Sequence, residues 1–423
     1  MGTPLNRRDF VKSVGATAAL LAWPSDAQSS QGRSLRNLRR QAAQRRRRII
    51  MNNDGNDVRT AANIEPFQPN DLYQQRTAGL LGSHVDSIFY CTGVFNYYFH
   101  ESTESELLTS HENVGAYLRR LAEFGTDPLE MMVDYCHRHK LEIFWSMRMN
   151  DTHDSGNPLL FCNWKREHPE YLVGTKGKRL PYGANRWSSV DYGIAAVRDK
   201  VFRVLADVCK RYDVDGIELD FFRHPVLFKP QMTGKPVTQA HCDLLTDLLR
   251  RVRRMTEDIA QRRQRPLLIG IRIPDSVSYC KAIGIDLVQW LESDLVDLVT
   301  GAGYFKLEPW ENLASLGKKY DVPTYACFVK RRIQSSGEPE GTTEAEIWRG
   351  EAYQAWQAGI SGIYTFNRFN PNDPIFRELG DPKLLATLER RDRTAYVNEE
   401  CWSRPETWLI NGRDYVTETV RPF

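Results

Sequence analysis

Asp213-Val-Asp-Gly-Ile-Glu-Leu-Asp-Phe-Phe-Arg-His-Pro225 is the stretch whose reading decides the fold. In an extended chain successive side chains alternate between faces, so Ile217, Leu219 and Phe221 share one side while Glu218, Asp220 and Phe222 share the other. A surface strand satisfies that pattern at little cost. Here, however, an amphipathic stretch precedes the strand, and Arg223-His224-Pro225 and a second long helical stretch follow it. A strand covered on both faces puts its carboxylates inside something. For a parallel strand, the enclosed place that accepts them is the mouth of a barrel or the crevice of an open sheet.

Working outward, short apolar runs alternate with helical periods from Ile49 onward. The predicted strands are 48–52, 85–92, 142–149, 216–222, 267–273, 295–300, 324–329 and 362–366. Before the fourth, Val197, Val201, Val204, Leu205 and Val208 form a stripe that fits a helix lying on a sheet. Comparable helices are predicted over 127–138, 239–260, 285–293, 309–319 and 343–358. Eight strands joined by crossovers long enough to return in parallel predict an α/β fold, a (β/α)8 TIM barrel over 49–380. An open doubly wound sheet is the alternative, disfavoured because no Gly-rich phosphate turn follows the first strand. Residues 381–423, with Trp402 and Trp408 and no clear period, are expected to pack on the barrel as a tail. The connections 91–127, 148–192 and 224–239 are long and follow strands two, three and four, so they leave the C-terminal face where barrel activity is built.

The chain begins differently. Asn6-Arg7-Arg8-Asp9-Phe10-Val11-Lys12, the small-residue apolar run 13–23 and Ser25-Asp26-Ala27 follow the order of a twin-arginine export signal over 1–27. The expected destination is therefore the periplasm or the outside. Residues 28–48 hold eight arginines and no acid, which reads as a solvated basic helix or linker between signal and domain, the alternative being a patch for an acidic polysaccharide, a membrane surface or nucleic acid. The remaining residues, 49–423, carry 46 basic and 52 acidic side chains, a net charge of −6, which argues against a nucleic-acid partner for the folded body. No later stretch is apolar enough to predict a membrane span. The eight cysteines show neither a Cys-x-x-Cys nor paired metal-ligand spacing, so buried free thiols are expected.

Asp220 is the last carboxylate of its strand, the position from which a side chain reaches a barrel mouth. Glu218 lies on the same face about 6.6 Å deeper, at a rise of ~3.3 Å per residue. Glycoside hydrolysis needs two carboxylates across the sugar ring, about 5–5.5 Å apart for retention or about 6.5–9.5 Å for inversion. Two acids stacked on one strand approach from one side, so Asp220 is assigned to the chemistry and Glu218 to tuning it. The opposing acid must come from another strand end, with Asp151, Asp154, Asp275 and Glu308 as candidates. Arg148 and Asn150 offer donors to sugar hydroxyls or a carboxylate, and Asp151, His153, Arg223, His224, Arg272, Tyr304 and Asn367 complete the expected binding set. Arg272, alone in an apolar run, needs a partner, for which Glu218 is the expected one. Asp151, His153 and Asp154 with His224 could alternatively ligate a metal, although the leading reading needs neither metal nor cofactor. Aromatic residues crowd the same face, Tyr304 among them, and flat rings suit the apolar faces of sugars.

Tyr212-Asp-Val-Asp-Gly-Ile-Glu-Leu-Asp-Phe-Phe-Arg-His-Pro225, preceded by Asp191-Tyr-Gly-Ile-Ala-Ala-Val-Arg198, resembles the bacterial glycosyl hydrolase-like proteins of family 10. The resemblance implies a (β/α)8 carbohydrate-active enzyme with Asp220 at the position most worth testing, and the leading reading is an exported hydrolase of a polysaccharide or oligosaccharide with Asp220 as general acid/base. Two other patterns fit only in part. The chitinase-like one needs a Glu where this chain has Phe222; the amylase-like one matches Asp215, Asp220 and His224 but has Glu218 in place of its Arg. A metal-dependent hydrolase or isomerase and a non-catalytic glycan-binding barrel are the alternatives.

Overall fold

The computed structural model describes residues 35–333, 341–392, 396–397, 399, 401–421 and 423, so the expected export signal lies outside the described residues. Eight strands form the barrel: β1 Ile49–Asn53, β2 Val85–Tyr90, β3 Glu142–Arg148, β4 Gly216–Asp220, β5 Leu268–Ile273, β6 Leu298–Gly301, β7 Thr324–Val329 and β8 Gly362–Phe366. Each pairs in parallel with the next in chain order, and β8 closes on β1. The open-sheet alternative is thereby excluded. The longer helices between strands are α1 Glu112–Glu123, α2 Pro128–Arg138, α3 Ala195–Arg211, α4 Gln239–Arg263, α5 Trp310–Tyr320 and α6 Glu344–Gln357.

Local chemistry sets the element ends. Asp127 accepts hydrogen bonds from the backbone N–H of Leu129 and Glu130 and, with Pro128 behind it, starts α2. Thr343 and Glu346 form a reciprocal capping box at the start of α6. β4 ends two residues earlier than predicted because Asp220 Oδ1 accepts the N–H of both Phe222 and Arg223, turning the chain out of the sheet. β6 starts later than predicted, since Asp297 spends its carboxylate on Arg39, Arg253 and the N–H of Ile269.

Inside the barrel, the side chains lie in layers. At the N-terminal end Phe89 and Phe144 stack at 4.4 Å, with Tyr364 edge-on at 5.7 Å. Gly216 makes room for them: a Cβ there would lie 2.2 Å from the Phe144 ring. Ser146 and Glu218 pair in register above that layer, and Arg148, Asp220 and Arg272 form a further row at the C-terminal end. Apolar packing thus gives way to charge along the barrel axis.

The arginine-rich segment is helical over part of its length, as one form of the expectation had it, but it is not solvated throughout: Arg39 and Arg47 are buried. A helix over 35–43 docks on the N-terminal end of the barrel, where Arg39 bonds Asp297 at 2.9 Å and Asp294 at 2.5 Å. Arg47, fully buried, grips both oxygens of Glu142 at 2.6 and 2.7 Å, and Arg48 does the same to Asp86 at 3.0 and 2.7 Å. Much of the basic charge therefore closes the bottom of the barrel.

At the other end, the long connections after β1 and β2 build their own small core around Val58, Leu72, Phe99, Tyr117 and Leu121, which supports one wall of the mouth. The tail lies against the same end: Trp408 is buried near His224 and Trp402, and Tyr279 Oη donates to the Pro405 carbonyl. All eight cysteines are free and buried. Among the described residues no helix is long and apolar enough to cross a membrane.

Candidate active site

A cleft of about 440 Å³ opens at the C-terminal mouth, lined among others by Asp54, Arg59, Arg148, His153, Arg223 and Asn367. These residues come from the ends of β1, β3, β4 and β8, so the cleft sits where strand termini converge. A roomier hollow of about 560 Å³ lies at the other end, between helix 35–43 and α4, away from those termini. Asn367 takes the left-handed backbone conformation, φ 57°, which asparagine enters more readily than most residues, and this turns the chain at the end of β8 into the cleft wall.

On the β3 and β4 side, a chain of hydrogen bonds holds the cleft residues. Arg148 Nη1 donates to Asp151 Oδ2 at 3.0 Å, while Asp151 Oδ1 accepts from the N–H of His153 and from its Nδ1 at 2.7 Å. Burial pushes the Asp151 carboxyl up, but His153 and Arg148 outweigh it and hold it well below the usual range. Arg223 Nη2 donates to His153 Nε2 at 2.8 Å, which leaves the ring proton on Nδ1, facing Asp151. Two donors converge on His224, the Thr152 N–H on Nδ1 and Arg223 Nη1 on Nε2 at 3.1 Å; burial and then Arg223 push its pKa well down. A neutral imidazole has one free lone pair, so only one of these donors is satisfied.

Four expected ligand-binding residues, Arg148, His153, Arg223 and Asn367, line the cleft. The others lie beneath it. Asn150 donates to the carbonyls of Val190 and Val226 and accepts the Val190 N–H, so it ties loops together and has no group left for a sugar. Asp151 and His224 are buried in the network just described. Tyr304 is packed among Phe222, Phe366 and Trp402. Arg272 is fully buried and bonds Asp220 Oδ2 at 2.8 Å, which corrects the expected pairing with Glu218.

Asp220 itself is 1% exposed and does not reach the cleft. Its three donors, Arg272 and two backbone N–H groups, hold it one level below the mouth. Deeper still, Glu218 Oε2 accepts from Ser146 Oγ at 2.5 Å and Tyr364 Oη at 3.0 Å, while Oε1 has no partner among the described residues. Burial, and then the charge of Asp220, push the Glu218 carboxyl up to about 8, so it carries a proton at neutral pH.

None of the four expected opposing acids faces the cleft. Asp151 serves Arg148 and His153; Asp154 takes Lys165 Nζ at 2.6 Å and Ser188 Oγ at 2.5 Å. Asp275 accepts the N–H groups of Leu307 and Glu308, and Glu308 accepts from Asn312. For the same reason Asp151, His153, Asp154 and His224 do not assemble as metal ligands, and no group of three His, Cys, Asp or Glu among the described residues is arranged to hold a metal ion.

Among the described residues the carboxylate that does line the cleft is Asp54, directly after β1. It is bonded to Arg76 Nη1 at 2.5 Å and to the N–H and Nδ2 of Asn56. Burial pushes its carboxyl up, but Arg76 and then Arg148 outweigh this and hold it below the ordinary value. The signal that could have found it lies in Asn53-Asp54-Gly55, an acid at the C-terminal end of the first strand, the same rule that singled out Asp220.

These features define a class, an eight-stranded α/β barrel with a polar, charged cleft at the C-terminal mouth of its strands. Residues 104–238, which carry β3, β4 and the loop between them, match the family described as Glycosyl hydrolase-like 10. The chain is 30% identical over 104 residues to "Glycosyl hydrolase YngK" of Bacillus subtilis (strain 168), a match spanning 24% of this chain and 19% of that protein. Among solved structures, an α-L-fucosidase, isoenzyme 2, from Paenibacillus thiaminolyticus superposes with a TM-score of 0.47 at 14% identity, covering 81% of this chain and 49% of that one. The PgaB (BpsB) glycoside hydrolase domain from Bordetella bronchiseptica gives 0.46 at 11% identity, covering 80% and 98%.

Proposed function

We propose that the protein is an exported glycoside hydrolase that takes a polysaccharide or oligosaccharide at the mouth of its barrel. The observation that carries this reading is a coincidence of two boundaries. The glycosyl hydrolase-like segment, 104–238, is also the segment that supplies Arg148, His153 and Arg223 to the cleft.

In this reading Asp54 and Asp220 are the carboxylates available for acid/base work, the first in the cleft wall and the second a level below it. Arg148 is electrostatically coupled to both. Substrate entry must then shift the Phe222-Arg223 turn that covers Asp220 before that carboxylate meets a glycosidic oxygen. The twin-arginine stretch at residues 6–12 supports export, which fractionation of expressing cells tests.

The deciding experiment is a screen of the purified protein against a polysaccharide panel, reading released reducing ends, with Asp54→Asn and Asp220→Asn beside it. Hydrolysis lost in both variants supports the assignment; hydrolysis unchanged in Asp220→Asn removes that residue from it. One observation favours a second reading, a glycan-binding barrel without catalysis: among the described residues only one carboxylate lines the cleft, and it is paired with Arg76. That reading expects saccharide binding with no release of reducing ends.

A further inference from the structure

The charge of the cleft is lopsided. Among the described residues it sets Arg59, Arg148, Arg223, Lys330 and Arg331 against the single carboxylate of Asp54. Some of these are accounted for within the protein: Arg148 by Asp151 and Lys330 by Glu344. Arg223 is not. It is 8% exposed, its terminal nitrogens rest on two imidazoles, and its Nε has no hydrogen-bond partner among the described residues. Arg59 also lines the cleft with Nε unpartnered and no carboxylate at ion-pair distance among the described residues.

Behind Arg223 sits a third such group. Arg186 donates to the Thr152 carbonyl and Ser155 Oγ, has no carboxylate partner among the described residues, and has a buried, unpartnered Nε. Burial, and then the nearby charge of Arg223, depress its pKa. Holding a guanidinium out of water without a counter-charge is unfavourable, so the arrangement is relieved when an anion arrives. A planar fork beside an imidazole and a second guanidinium suits a carboxylate or sulfate oxygen pair.

We infer that the cleft is built for an acidic saccharide, one whose uronate carboxylate or sulfate ester lies against Arg223 and Arg59 with His153 beside it. The inference rests on the glycan reading above and narrows it from any saccharide to charged ones. Neutral glycans lack the group that would complete the arginines, and cationic ones would meet like charge.

The test measures binding by calorimetry on the full chain, independently of any hydrolysis. The probes are uronate oligosaccharides, their neutral methyl esters, sulfated oligosaccharides and a neutral glucan. The expected result is that uronate or sulfated probes bind at least about tenfold more tightly than their neutral counterparts, as one charge-assisted pair gives. That preference weakens with added salt and is lost in Arg223→Gln. Because Arg223 is buried and its replacement can disturb folding, Arg59→Gln serves as a second variant, expected to reduce the preference while the circular dichroism spectrum is unchanged. The uronate and sulfate arms separate the two sources of anion. Equal binding of neutral and acidic forms overturns this inference and leaves the glycan reading standing. No binding of any saccharide overturns both.

Discussion

Arg272 Nη2 and Asp220 Oδ2 meet at 2.8 Å with neither side chain exposed to solvent. The pair sits at the C-terminal end of adjacent strands, Asp220 and Arg272 being register partners in β4 and β5. It therefore plugs the barrel just below the cleft and fixes the depth at which the β4 carboxylate lies.

Breaking this pair from one side leaves a buried charge. Asp220→Asn is expected to lower the unfolding free energy by about 3–5 kcal/mol, while Asp220→Leu combined with Arg272→Met recovers much of that loss. Urea denaturation of the two variants beside the unaltered protein checks it. Activity assays on Asp220→Asn must accordingly be run at a temperature where the variant is shown to be folded.

Asp54→Asn should show the opposite balance. Asp54 lies above the barrel interior with 12% of its side chain exposed, so losing its pair with Arg76 costs less stability than losing the fully buried pair at Asp220. Turnover of a hydrolysable glycan falls by about 10²–10⁴-fold, the usual loss for a positioned acid/base group. Initial rates of reducing-end release and thermal melts on one preparation separate the two effects.

Glu218 makes stability depend on pH. Its folded pKa, about 8, lies above the unfolded value of about 4.3, so the folded state holds the proton more tightly. The stabilisation is complete below the unfolded value and is lost as pH rises through the folded one. Ser146, Tyr364, Asp220 and Arg272 are the groups facing it. Melting temperature is expected to fall between about pH 4 and pH 8, and Glu218→Gln should flatten that slope. An unchanged slope in the variant would place the titration elsewhere.

The arginine run separates into structural and surface members. Arg47→Met removes a buried bidentate contact to Glu142 and should cost about 3–5 kcal/mol. Arg40, whose side chain is 56% exposed and 3.9 Å from Asp294, should be replaceable by Gln within about 0.5 kcal/mol. Denaturant titrations of both variants decide whether this segment is part of the domain.

How much was legible follows the range of the interaction. The strand at Gly216–Asp220 and its inward acids were readable because alternation is a property of neighbouring residues. The stripe Val197, Val201, Val204, Leu205 and Val208 was readable for the same reason, and it is buried on α3. Arg47 with Glu142 and Arg39 with Asp297 were not readable: the partners are 95 and 258 residues apart, and in the sequence each arginine is one more charge in a run. Tyr304 and Asn150 were misplaced because residue type tells what a side chain can bond, not whether a neighbouring loop has already taken the bond.

The sequence by itself determined an eightfold strand and helix alternation, hence the barrel, and it determined that Glu218 and Asp220 point into its axis. Only the tertiary structure decided how deep each lies. Closing the barrel sets β5 beside β4, so Arg272 claims Asp220, and brings the turn after β1 round to the mouth, so Asp54 becomes the carboxylate in the cleft. Direction follows from the local pleat of one strand; exposure and partnership depend on what distant segments cover and which charges they bring.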